Sequence, residues 1–178
     1  MIAGFLLATA VALANALPLE IVQQHLAAGE APLCGAGVSL GALRVTPEFA
    51  WRADQKERPR REEIALRALR AELAELPCAR GFAFAGEADA ASAPDTELSI
   101  RLHELGPSFV VTLLPPQWLG WSEVDATLRA TRVTDGAVLL DAHVTRRRGG
   151  PFALRGEAPL ESELRAALAP LLRGAPVR

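Results

Sequence analysis

Apolar residues recur at helical spacing in parts of this chain and at every second position in much of its second half. Leu66, Leu69, Leu73 and Leu76 lie between Pro59 and Pro77, which predicts a helix over Pro59 to Leu76 with one apolar stripe. A proline fits the first turn of a helix but cannot continue one. Leu160, Leu164, Leu168 and Leu171 repeat the stripe and predict a last helix over Leu160 to Leu172, closed by Gly174. Leu19, Ile21, Val22, His25 and Leu26 fit a short amphipathic helix that stops at Gly29.

Ala36 to Val45 predicts a first strand with a bulge at Gly41, followed by a polar loop over residues 46–58. A short strand is expected at Phe82-Ala83-Phe84, then a surface loop over Glu87 to Asp95. From Glu97 onward the period is two. Leu98, Ile100 and Leu102 make one apolar row, Val124, Ala126, Leu128 and Ala130 a second, and Val138, Leu140, Ala142 and Val144 a third. Phe109 to Leu114, entered through Gly106-Pro107, is apolar on both faces and reads as a central strand.

The hairpin between the last two rows can be set to single-residue register. A two-residue Asp135-Gly136 turn opposes Leu128 to His143 and mixes buried with solvated positions. A three-residue loop, Thr134 to Gly136 with Gly136 left-handed, opposes Leu128 to Ala142, Ala130 to Leu140 and Arg129 to Asp141. Two helices with one apolar stripe each, and strands with one clean apolar face, pack most economically in two layers. The expected fold is α+β: an antiparallel β-meander of about four strands with two helices on one face.

Composition adds a compartment. The first sixteen residues, MIAGFLLATAVALANA, carry no charge and end in Ala14-Asn15-Ala16, the small residues at −3 and −1 that a signal peptidase needs. They predict export, with residues 1–16 removed and a single domain over 17–178; an uncleaved membrane anchor is the alternative, since no Lys or Arg precedes the apolar run. Half the residues are hydrophobic and the formal charge is −2, which does not favour disorder or nucleic-acid binding. In an oxidising compartment Cys34 and Cys78 are expected to form one disulfide.

Candidate chemistry is sparse. Gly37-Val38-Ser39-Leu40-Gly41 matches G-x-S-x-G, yet a nucleophile elbow needs a strand before the Ser and a helix after it, and here a strand pattern follows. A small periplasmic serine hydrolase using Ser39 is the alternative to a non-enzymatic protein. His25, His103 and His143 are too scattered for a metal signature, and no cofactor is implied. Trp118 and Trp121, in the Pro115–Trp121 turn, join a large apolar body to a polar N–H and suit a docking patch. Val110, Leu114 and Leu139 would extend it as an apolar strip on the outer face, flanked by Arg146, Arg147 and Arg148.

The block from Glu97 to Leu172 resembles small bacterial envelope lipoproteins and periplasmic proteins of uncharacterised function. The matching residues are ELSIRL, VDATLRATRVTDGAVLLDAHV, RRRGGPFALRG and the Leu-rich terminal helix. The plan is also similar to accessory domains that help assemble outer-membrane machinery. The resemblance implies an envelope location and a binding role toward a protein, lipid or glycolipid, with no catalytic residues to carry over. The chain departs from lipoproteins at Cys34, which follows Ala31-Pro32-Leu33 where a lipobox has Leu at −3 and a small residue at −1.

Overall fold

The computed structural model describes residues 21–26, 32–35, 37–51, 58–87, 93–107, 119–151 and 157–174. The elements follow as β1 (Ile21–Leu26), β2 (Gly41–Phe49), α1 (Arg58–Ala74), β3 (Ala79–Phe84), β4 (Thr96–Pro107), β5 (Leu119–Arg132), β6 (Val138–Pro151) and α2 (Glu157–Arg173). The strands form one sheet in the order β1-β6-β5-β4-β2-β3.

The α+β class holds, and β4, β5 and β6 form an antiparallel meander. The four-strand, wholly antiparallel expectation does not hold. β2 pairs parallel with both β3 and β4, so the six-stranded sheet is mixed. The connection explains this: α1 returns the chain from the end of β2 to the start of β3, and such a crossover delivers a parallel neighbour.

Three further corrections follow from pairing. The stretch read as a helix at Leu19–Leu26 includes β1, which pairs antiparallel with β6 from Ile21↔Gly149 to Leu26↔Val144. Six residues opening on β-branched Ile21 and Val22 suit either element, and a neighbouring strand decides the matter. β2 starts at Gly41 and continues to Phe49, through the first four residues of the segment read as a loop. Pro47 is tolerated because β3 ends at Phe84, opposite Val45, so that beyond Val45 one side of β2 has no strand partner among the described residues. β6 continues past Val144 to Pro151, so Arg146 to Arg148 lie inside a strand. The expected strand at Phe109–Leu114 lies outside the described residues, and direct pairing of β4 with β5 leaves no place between them.

The hairpin register is as expected, with Leu128↔Ala142, Ala130↔Leu140 and Arg129↔Asp141. The register then shifts between Ala130 and Thr131, which pairs with Val138, leaving Leu139 as the extra residue. The loop is therefore one residue longer than expected: Arg132 N donates to Ala137 O at 2.9 Å, and Gly136 takes φ +70°.

Both helices cover one face of the sheet. Leu98, Leu128 and Leu140 from the strands share one core with Leu69 and Leu73 of α1 and Leu164 and Leu168 of α2. Full burial of each such side chain contributes about 2 kcal/mol. The helices are also stapled to each other. Glu72 of α1 is fully buried, with Arg165 Nε at 3.3 Å and Arg173 Nη2 at 2.7 Å, both from α2. Glu72 thus sits on the buried side of α1 despite its charge.

A short strap, Pro32 to Gly35, closes the end of α2. Leu33 N donates to Leu171 O at 2.7 Å and Cys34 N to Leu172 O at 2.9 Å, satisfying carbonyls that a helix end leaves without partners. Gly174 (φ +70°) ends the helix by donating to Pro170 O at 3.1 Å. The Cys34–Cys78 disulfide, with Cα atoms 5.5 Å apart, fastens this strap to the turn before β3.

Candidate functional site

The opposite face of the sheet carries no described helix, and strand alternation fills it with polar side chains. They are ordered into cross-strand pairs. Arg44 Nη1 lies 3.5 Å from Glu97 Oε1 between β2 and β4, and Arg101 Nε lies 2.8 Å from Glu48 Oε2 on the same strand pair. Between β4 and β5, His103 Nε2 is 3.1 Å from Thr127 Oγ1. Between β5 and β6, Arg147 Nη2 donates to Glu123 Oε1 at 3.0 Å, His143 Nε2 is 2.8 Å from Asp125 Oδ1, and Arg129 stands across from Asp141.

Exposed pairs of this kind contribute up to about 1 kcal/mol each, so the ladder sets the character of the surface more than its stability. Two carboxylates differ from the rest: the Asp125 side chain is 3% exposed and that of Glu123 13%. Glu123, by its hydrogen bond and its charge, holds the Arg147 guanidinium above its ordinary pKa, with Asp125 adding to the field.

The three arginines expected to act together are divided by the strand. Arg147 faces outward, whereas Arg146 and Arg148 turn toward the helices, where Arg146 Nε is 3.1 Å and Arg148 Nη1 2.5 Å from Glu163 of α2. Arg146 is 7% exposed. The expectation of three exposed arginines is corrected by this alternation, since a run of three inside a strand cannot share a face. Leu139, expected on the outer strip, packs against the core as the bulged residue. Val110, Leu114 and Trp118 lie outside the described residues, and Trp121 occupies the β5 position opposite Gly149. Residues 1–16, expected to be a leader, are likewise outside them.

A second polar feature lies where β2 and β4 begin beside the β5–β6 hairpin. A shallow pocket of about 220 Å³ is lined by Ser39, Arg80, Asp95, Arg132 and Thr134, among others. Asp95 organises it, accepting from Ala42 N at 2.8 Å and from Arg80 Nη2 at 2.9 Å. These contacts hold its carboxyl below the ordinary value of 3.8, the Ala42 N–H contributing most. Gly41 has φ +63°, and a Cβ there would stand 2.1 Å from Asp95 Oδ2, so only glycine fits.

Ser39 is exposed on the loop before β2, with a strand after it. No histidine lines its pocket; His103 and His143 are engaged with Thr127 and Asp125 on the open face. Among the described residues no three His, Cys, Asp or Glu side chains are grouped to hold a metal ion. Sequence reasoning missed the buried acids Glu72 and Glu163. The signal was present: Glu72 continues the helical spacing of Ala65, Ala68 and Leu69, and Glu163 lies three residues after Leu160 and four before Ala167, so each falls within an apolar stripe.

No family model and no curated protein sequence matches the chain. Solved structures do resemble it. A PelC dodecamer from Paraburkholderia phytofirmans is 20% identical, with a TM-score of 0.47 over 85% of this chain and 96% of that one. Protein XCC0632 of the DUF330 family, from Xanthomonas campestris, is 15% identical, with a TM-score of 0.44 over 79% of this chain and 83% of that one. Lipoprotein GNA1162 from Neisseria meningitidis is 16% identical, with a TM-score of 0.38 over 69% and 91%. At such identities and TM-scores neither family nor function transfers to this chain. No described helix is long and apolar enough to cross a membrane.

Proposed function

We propose that the chain is an exported, non-enzymatic envelope protein that binds a protein partner through the open face of its sheet. The observation that carries this reading is the ladder of cross-strand pairs on a face that no described helix covers. Four outward arginines, Arg44, Arg101, Arg129 and Arg147, are matched by Glu48, Glu97, Glu123, Asp125 and Asp141, with one carboxylate in excess. A surface of balanced, alternating charge suits a protein of complementary pattern, whereas anionic headgroups select an excess of cations. Trp118 and Trp121, near the start of β5, would supply the apolar anchor that such polar surfaces need. Export is supported by the Cys34–Cys78 disulfide, which persists in oxidising compartments, and by the apolar residues 1–16.

The test is photo-crosslinking in the native host. A photoreactive phenylalanine analogue replaces Thr127 or Arg101 on the open face, or Ala74 on the exposed side of α1 as control. A discrete crosslinked species from the first two positions and none from the third supports the proposal. Equal yields from all three, or none from the open face, overturn it. Maleimide labelling of the same material checks the compartment: Cys34 and Cys78 should react only after reduction.

A further inference from the structure

The two edges of the sheet are built differently, and the difference points to a second copy of this chain. β3 forms one edge and carries familiar guards against strand addition: Arg80, whose side chain is 78% exposed, next to Gly81. Its pairing with β2 is also irregular, with a register shift between Gly41 and Ala42. β1 forms the other edge. It pairs with β6 without interruption over all six of its residues, and no described strand pairs with its far side. Its sequence, Ile21-Val22-Gln23-Gln24-His25-Leu26, contains no Lys, Arg, Asp, Glu, Pro or Gly. A regular strand with one row of backbone groups not used within the sheet, and none of the residues that discourage pairing, is a template for another strand.

We propose that β1 pairs antiparallel with β1 of a second copy, about a two-fold axis through Gln24, to give a continuous twelve-stranded sheet. An axis normal to the sheet keeps the helix layers of both subunits on one side and opposes positions of the same face, as the pleat requires. In that register Val22 stands opposite Leu26 of the partner subunit, Gln23 opposite His25 of the partner subunit, and Gln24 opposite Gln24 of the partner subunit. Apolar meets apolar, amide meets amide, and no charge is left facing another. A strand of some other protein gains no electrostatic preference from so neutral an edge, whereas β1 matches itself in length and polarity. The contact is isologous and closes at two copies. It uses the edge of the sheet and leaves the open face untouched, so it stands or falls apart from the function proposed above.

One strand pair is a small interface, and the expected dissociation constant is on the order of micromolar. Sedimentation equilibrium of the mature chain across that range should give a monomer–dimer equilibrium. Gln24→Glu is the informative variant. The new carboxylate stands opposite its own copy across the axis, and within the subunit it takes the register position beside Arg146 of β6. Association should weaken by roughly tenfold with the thermal unfolding midpoint maintained. Gln24→Cys should give a reductant-sensitive covalent dimer in oxidising buffer, whereas Ala74→Cys, on the exposed side of α1, should not. A chain that remains monomeric throughout overturns the proposal. So does a dimer that Gln24→Glu leaves unchanged and Gln24→Cys fails to trap, which places the contact elsewhere.

Discussion

Arg146 Nε donates to Glu163 Oε2 at 3.1 Å, and the two side chains are 7% and 3% exposed. Between strand β6 and helix α2, this pair puts opposite charges where an apolar contact would be expected. Breaking it from one side leaves an uncompensated charge in a low dielectric, at a cost of about 3 kcal/mol or more. Glu163→Leu, which also strands Arg148, should lower the unfolding free energy read from urea denaturation by that amount. The double variant Arg146→Leu/Glu163→Leu should recover a large part of the loss. If the double change is as damaging as the sum of its parts, the pair is not acting as a unit.

The disulfide closes a sequence separation of 44 residues. On the chain-entropy account, a loop of that size restricts the unfolded state by about 4 kcal/mol. Cys34→Ala/Cys78→Ala should therefore unfold at clearly lower denaturant concentration than the oxidised protein, and reductant should shift the native chain but not the variant. A variant that denatures at the native midpoint would contradict this.

Acid should act through surface carboxylates that the fold holds in their ionised form. Glu87 is held below its ordinary value of 4.5, chiefly by Arg70 and then by Phe84 N–H. Asp95 and Asp135 are held below 3.8, chiefly by Ala42 N–H and Ala137 N–H respectively. Folded values below unfolded ones stabilise the native state above the unfolded pKa, and that contribution is lost as pH falls through the folded one. Stability should thus be flat through neutral pH with respect to these groups and decline below about pH 4.5, as the ordinary range of Glu87 is entered. Asp95→Asn should lower stability at pH 7 and flatten the acid limb. Denaturation midpoints from pH 7 to pH 2 decide the point.

Gly41→Ala meets two obstacles, the left-handed backbone at φ +63° and Asp95 Oδ2 at 2.1 Å from the new Cβ. The first costs about 1 kcal/mol and the second displaces the carboxylate that caps Ala42. A loss of at least about 2 kcal/mol is expected in equilibrium unfolding, and Gly136→Ala, with open space around it, should cost less.

The parts of this fold that could be read in advance are those where local pattern and tertiary contact agree. Leu69, Leu73, Leu164 and Leu168 announced two helices through spacing alone, and Arg129 found Asp141 because a register one residue off would bury a polar row. The misread parts are those that a neighbour decides. Ile21–Leu26 is a strand because β6 offers an edge, and β2 runs on to Phe49 because β4 continues beside it. Arg146 to Arg148 looked like a cluster only while β6 was thought to stop at Val144. The candidate surface was harder still, because nothing local marks which outward residues will meet across strands. Of the pairs on that face, only Arg129 with Asp141 followed from counting.

The order in which ribosomal synthesis delivers the Pro32–Gly35 strap has a consequence for assembly. Both sulfurs of its clasp precede α2 in the chain, while Leu33 and Cys34 supply the N–H groups that finish that helix. Oxidation can therefore fix the receiving dock before the last seventeen-residue helix arrives, so that its closing turn meets a ready-made seat.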